Sequence, residues 1–266
     1  MAFDWGDFQR ELDHWAATGR VAAFWWRDDD ATEFTPALER LLGLTAAFRV
    51  EIGLAVIPAR AVESLAAALA VRPYVTVFQH GYRHQNHAPA GEPAVECGGA
   101  RPVEDVLEEM RAGFREMTRL FPQKFEPILA APWNRIEPRV LDRLAEAGFW
   151  GASAYGPRAR MAGANGLVIA NAHIDPLNWK ERRFAGRDKA LSGIVGELEA
   201  RRTGTADPDE PLGLLTHHLD HDSAAWDFLD ELLEVTTAHP AARWLGAREA
   251  FGLGPAAGAA RAGARR

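Results

Sequence analysis

The chain has 266 residues, a net charge of −7 and a pI near 5.7, so it offers no broad basic face and nucleic acid is not an expected partner. Hydrophobic residues make up 47% and charged residues 25%, the balance of a globular chain with a sizeable core and not of a disordered one. A single cysteine, Cys97, excludes an intrachain disulfide framework and a thiolate metal site.

Taken in order, residues 5–18 predict an amphipathic helix. The opening segment, MAFDWGDFQRELDHWAATGR, is acidic and lacks the basic head and apolar run of a secretion signal. No apolar stretch is long enough to span a bilayer, so the cytoplasm is the expected compartment. VAAFWW (21–26) reads as a buried strand, Pro36 to Ala47 as a helix and EIGLAVI (51–57) as the next strand. Ala61–Ala70 is helical by its Ala and Leu content, and YVTVFQ (74–79) is rich in β-formers. The Gly/Pro/Asn-rich stretch 81–101 predicts a long loop, of the kind that often carries function. Helix follows from Val103 to Leu120, opened by Pro102. PILAA (127–131) is a short strand stopped by Pro132, and Pro138–Ala147 a helix that Gly148 can cap. FWGASAY (149–155) and LVIANAHI (167–174) are further strands, 188–202 a helix, LGLLTH (212–217) a strand, Ala224–Thr237 a helix and ARWL (242–245) a last short strand.

Strand alternating with helix, in roughly seven or eight units, predicts an α/β fold: one (β/α) barrel over residues 1–252. Neither GxGxxG nor GxxxxGK[ST] follows the first strand, which removes support for a nucleotide-binding doubly wound sheet. Residues 253–266 are low in complexity and basic, and are expected to be a disordered tail.

The chemistry sits in three segments. Six of the nine histidines fall in QHGYRHQNH (79–87) and LLTHHLDHD (214–222), and a triple aspartate lies upstream in FWWRDDDA (24–31). In a parallel barrel the C-terminal strand ends share one face, where active sites are built. That face would gather Asp28–Asp30, His80, His84 and His87, Pro132 to Arg135, His173 with Asp175, and His217. His80 and His84 are four apart, so one helical turn would put both rings on one side, and Asp30 would complete a His-His-Asp set. Nitrogen and oxygen ligands without sulfur suit Zn2+, and also Co2+, Ni2+ or Fe2+. Three protein ligands leave a position open, as in catalytic sites. Adjacent carboxylates in extended backbone point opposite ways, so Asp29 and Asp30 are expected to divide the work, one on the metal and one on a proton. Trp133 and Trp179 stand beside these residues and can stack on a sugar. His87 is expected beside the ligands and not among them. Glu96 and Cys97 read as ordinary loop residues.

These segments resemble the motifs of the polysaccharide deacetylase family, the carbohydrate esterase family 4 or NodB-homology enzymes. RDDDA (27–31) resembles its TFDDG motif, His80 and His84 its HxxxH, AAPW (130–133) its RxPY/W, DPLNW (175–179) its DxxDW, and LTH (215–217) its final histidine motif. The resemblance implies a distorted seven-stranded NodB-type barrel, Asp29 as base, Asp30, His80 and His84 as metal ligands, and His217 as acid. The chain departs from the pattern at several points. Ala31 replaces a glycine, and Ala130 replaces the arginine that orients the base, for which Arg135 or Arg27 could stand in. Asn178 replaces the second aspartate of DxxDW, leaving Asp175 as the partner of the acid, and His218 and His221 are rivals to His217.

The expected activity is metal-dependent hydrolysis of a non-peptide C–N bond. The N-acetyl group of a small sugar or glycan precursor is the expected substrate, with a backbone N–H near Trp133 helping to hold the oxyanion. No protein partner is identifiable. The rival readings are a small-molecule amidohydrolase of the same superfamily, a non-haem Fe(II) oxygenase, whose facial triad is also two histidines and a carboxylate, and a catalytically inactive carbohydrate-binding barrel.

Overall fold

In the computed structural model, residues 3–159, 161 and 166–254 are described. Strands β1 (Ala22–Ala31), β2 (Ile52–Val56), β3 (Val75–His80), β4 (Phe125–Ala130), β5 (Gly151–Ser153) and β6 (Val168–Ile169) lie side by side in that order, all parallel. A small antiparallel hairpin follows, β7 (Leu177–Asn178) and β8 (Arg183–Phe184). β9 (Leu212–Thr216) pairs with the free edge of β1, and β10 (Ala242–Trp244) pairs with the N-terminal end of β1. Just past β6, Ile174 bridges Leu214 of β9 in parallel, which closes the ring. This is the expected α/β barrel, with β1 to β6 and β9 as its staves.

Helices α1 (Trp5–Ala17), α2 (Pro36–Phe48), α3 (Glu63–Ala70), α4 (Val103–Leu120), α5 (Pro138–Leu141), α6 (Arg187–Thr203) and α7 (Ser223–Ala238) cover the outside. Their starts are written locally. The Asp4 carboxylate caps α1 in a reciprocal box with Asp7, Thr35 caps α2 ahead of Pro36, and Asp222 caps α7. The Asp222 carboxylate also accepts the Phe184 N–H at 3.0 Å, which ties the hairpin to α7.

Period-2 alternation along β1 divides the core and positions the site. Phe24 and Trp26 face outward into the main core under the helices, while Trp25 belongs to a separate cluster with Ala55, Phe78 and Ile128. A short helix α8 (Ala247–Ala250) and the buried Phe251 plug that end of the barrel, with Phe251 edge-on to both Trp25 and Phe78. Gly53 makes room for the Phe78 ring, since a Cβ there would lie 2.5 Å from it. On the same alternation Arg27 and Asp29 follow Trp25, so the barrel runs from an aromatic floor to a charged mouth.

The structure differs from the sequence expectation in several places: the strand expected over 149–155 is only β5, and no helical turn joins His80 to His84. β1 continues through the aspartates, because β2 and β9 take up its backbone on both edges. The helix expected over 138–147 is α5 followed by a 3-10 turn at Leu144–Ala147. The strand expected over 167–174 is only β6 plus isolated bridges at Ala172 and Ile174. The hairpin β7–β8 and helix α8 are too short to leave a periodic signal. The tail expected from residue 253 lies outside the described residues from 255 onward.

Candidate active site

The pairing of β1 with β2 shifts register between Asp28 and Ala31, and Asp30 takes a left-handed φ of 73°. Without that bulge Asp29 and Asp30 would face opposite sides of the sheet. With it, both line one cavity of about 810 Å³ at the C-terminal mouth of the barrel.

Arg27 holds Asp29. The two residues are two apart on the same strand face, and both are buried. Arg27 Nη2 donates to Asp29 Oδ2 at 3.0 Å, and Nε lies 2.9 Å from Oδ1 without hydrogen-bond alignment, so the buried ion pair carries one well-formed bond. Nη1 donates to Ser153 Oγ at 2.6 Å and to the Ala154 carbonyl at 3.2 Å, and Nη2 also donates to Asn134 Oδ1. Asn134 and its neighbour Trp133 both sit at positive φ (56° and 51°), in the turn after β4 that brings them to the cavity wall. Of the two arginines considered for orienting Asp29, Arg27 is therefore the one that touches it. Arg135 also lines the cavity, but its guanidinium donates to the Ala94 carbonyl at 3.1 Å.

Asp30, His80 and His84 meet. Asp30 Oδ1 lies 3.2 Å from His80 Nε2 and 3.4 Å from His84 Nε2. The three ligand atoms are all within 4.8 Å of one another. His80 turns its other nitrogen, Nδ1, to the Ala130 carbonyl at 3.1 Å, which fixes the ring and leaves Nε2 for the cavity. Asp30 Oδ1 is buried without a well-aligned hydrogen-bond donor among the described residues. A carboxylate oxygen left in that state beside two imidazole nitrogens fits a divalent ion. Burial works to raise the Asp30 pKa, but the close His80 ring, with the charges of His84 and His217 behind it, holds the carboxyl well below the usual range. Burial likewise opposes charge on His80, yet Asp29 and Asp30 outweigh it and raise that ring above its ordinary value. His84 goes the other way, lowered by burial and by the neighbouring His80.

The three histidines after β9 have separate surroundings. His217 lines the cavity, with the Trp179 ring edge-on at 4.5 Å. Trp179 Nε1 donates to Asp175 Oδ2 at 2.7 Å, and the Leu177 N–H to Oδ1 at 2.9 Å. Burial pushes the Asp175 carboxyl up, opposed by the His217 ring and these two donors. His221 packs edge-on against Trp226 at 4.7 Å, and burial lowers its pKa to about 4.

His218 turns away from the cavity to Asp28, the outward-facing aspartate of β1. Asp28 Oδ2 accepts the Thr216 hydroxyl at 2.7 Å and the His218 backbone N–H at 3.0 Å, and Oδ1 meets His218 Nδ1 at 2.5 Å. Burial opposes charge on His218, but Asp28 outweighs it and raises the pKa above the ordinary 6.5. A raised folded-state pKa stabilises fully below the unfolded value and is lost as pH rises through the folded one. The stability gap between wild type and His218→Gln is therefore expected to be widest below pH 6.5 and to shrink above it, read by denaturant unfolding at a series of pH values.

Two other histidines stand apart from this constellation. His87 is not among the cavity-lining residues. His173 is in the core, where Nδ1 accepts the Gly213 N–H at 3.0 Å and Nε2 lies 3.3 Å from Glu210. Sequence reading missed Asn134 as a partner of Arg27, and treated as an ordinary loop residue the buried Glu96, which accepts three backbone N–H groups from the loop carrying His84. The one available signal was a carboxylate inside a Gly/Pro-rich loop too long to be without internal partners.

No family model matches the chain, and none of the curated proteins does. Solved structures do. A candidate polysaccharide deacetylase from Mycobacterium smegmatis superposes with a TM-score of 0.61 at 15% identity, covering 88% of this chain and 93% of that one. The peptidoglycan deacetylase PdaC from Bacillus subtilis gives 0.54 at 13% identity, over 86% and 90% of the two chains. BA3943 from Bacillus anthracis, described as a pseudoenzyme of carbohydrate esterase family 4, gives 0.53 at 12% identity, over 87% and 66%. At these identities the likeness is one of fold, and the fold is the one that the five motifs imply.

Proposed function

We propose that this chain is a metal-dependent hydrolase of non-peptide amide C–N bonds that removes the N-acetyl group from a small acetylated sugar or glycan precursor in the cytoplasm, with Zn2+ as its ion. One observation carries the reading. Arg27 holds the Asp29 carboxylate beside the Asp30/His80/His84 donor set, and His217 lines the same cavity. A deacetylase and a pseudoenzyme both share the fold, so the proposed chemistry rests on the site residues.

Bound at Asp30, His80 and His84, the ion supplies Lewis-acid polarisation of the acyl oxygen and a more acidic water. The chain's own residues do the rest. Asp29 takes the proton of the attacking water, its carboxylate held in place by Arg27 through Oδ2. The Trp133 backbone N–H helps to hold the developing oxyanion. His217 donates a proton to the departing nitrogen, because an amide nitrogen leaves poorly as an anion. Asp175 and Trp179 frame the His217 ring, the exposed Trp179 suits the apolar side of a sugar, and Trp133 lines the same cavity with its ring 4.2 Å from that of His84.

The test is acetate release from a panel of N-acetylated monosaccharides and short glycans. Release is expected to stop on chelation and to return on adding Zn2+. Turnover that survives complete metal removal would reject the reading.

A further inference from the structure

Glu96 belongs to neither the donor set nor the cavity lining, yet it is 1% exposed. A carboxylate this deep must find donors. It finds them in the backbone of the histidine loop. Oε2 accepts the Tyr82 N–H at 3.1 Å, and Oε1 accepts the N–H groups of Arg83 at 2.8 Å and Gln85 at 3.3 Å. Successive main-chain N–H groups converging on an anion form a nest. The cradle admits no side chain at its start. Gly81 has a φ of +55°, and a Cβ there would lie 1.8 Å from Glu96 Oε2.

The two donors to Oε1 flank His84 on either side. His84 itself has a φ of 57°, a left-handed backbone that costs a residue with a Cβ and persists only where its surroundings enforce it. That same backbone directs His84 Nε2 to Asp30. Glu96 is in turn fixed from behind. Its own carbonyl accepts from Arg101 Nη2 at 2.7 Å and from the Gly98 N–H at 2.9 Å.

We infer that Glu96 is a positioning residue for the metal centre: its carboxylate, clamped on the N–H groups either side of His84, holds that ligand in the left-handed conformation that completes the donor set with Asp30 and His80. The inference rests on the metal reading of that set.

Zn2+ titration of the metal-free full chain by calorimetry tests it. Glu96→Gln is expected to weaken Zn2+ binding about 10–100-fold, the usual cost of losing a group that orients a ligand. Glu137→Gln is the control, since Glu137 pins the far end of the same loop through the Gly99 N–H at 2.7 Å. It is expected to lower the melting temperature and leave Zn2+ affinity unchanged. In a His84→Ala background, Glu96→Gln is expected to cost no further affinity, because the two act through one ligand. Wild-type affinity in Glu96→Gln, or losses that add in the double variant, would overturn the positioning role while leaving the metal centre standing. Absence of saturable Zn2+ binding by the wild type would overturn both. Should Glu96→Gln fail to fold, amide exchange in the metal-free wild type decides: slow exchange at Arg83 and Gln85 is expected, and exchange at the rate of a free loop would overturn the clamp.

Discussion

Replacing Arg27 by methionine is expected to lower the free energy of unfolding by about 3–5 kcal/mol, the range seen when one partner of a buried ion pair is removed. The guanidinium is fully buried, and it donates to Asp29 Oδ2, the Ser153 hydroxyl, the Ala154 carbonyl and the Asn134 side chain together. Methionine fills much of the volume, so the loss is one of compensation and not of packing. Asp29, 2% exposed, would be left as a buried charge without its counter-ion. Adding Asp29→Asn to the Arg27→Met variant should restore part of the stability, because the uncompensated charge is then gone. Denaturant midpoints at constant m-value measure both. A cost below about 1 kcal/mol for Arg27→Met would place the pair in the class of exposed salt bridges and contradict the buried-pair account.

The second large effect separates adjacent carboxylates. Asp29→Asn is expected to reduce kcat about 10²–10⁴-fold, the contribution of a general base, while Zn2+ stays bound. The amide keeps the shape and the contact with Arg27 but cannot take the proton. Asp30→Ala is expected to lose the ion itself, because it removes the carboxylate that His80 and His84 face. Metal content and acetate release, measured on the same preparations, distinguish the two. An Asp29→Asn protein that turns over at the wild-type rate would remove Asp29 from the proposed chemistry.

Much of this was legible in the chain because the barrel rule is strong. Near-continuous apolar runs marked the long strands β1, β2, β3 and β9, and residues just past their ends were expected on one face; Asp30, His80, His84 and His217 do line one cavity. What was illegible depended on single-residue geometry. The sequence assigns opposite directions to Asp29 and Asp30, and only the bulge and the left-handed Asp30 reconcile them. The expected first strand ended at residue 26, which placed Arg27 in the turn beyond it. In the structure it is an inward-facing strand residue two positions before Asp29, so its side chain reaches the carboxylate along one face of β1. Arg135 was equally eligible on sequence, and only side-chain reach separates the two. Glu96 left only the mark of a carboxylate in a long Gly/Pro-rich loop, because its partners are backbone N–H groups, which every residue but proline carries.

The central claim is that Asp30, His80 and His84 hold one divalent ion. Crystals grown with Zn2+ and measured above and below the zinc absorption edge test it most directly. A single strong anomalous peak about 2.0–2.2 Å from one Asp30 oxygen and the Nε2 atoms of His80 and His84 is the expected result. Fully formed Asp30, His80 and His84 side chains around a position with no anomalous signal, in a crystal soaked with excess Zn2+, would contradict it.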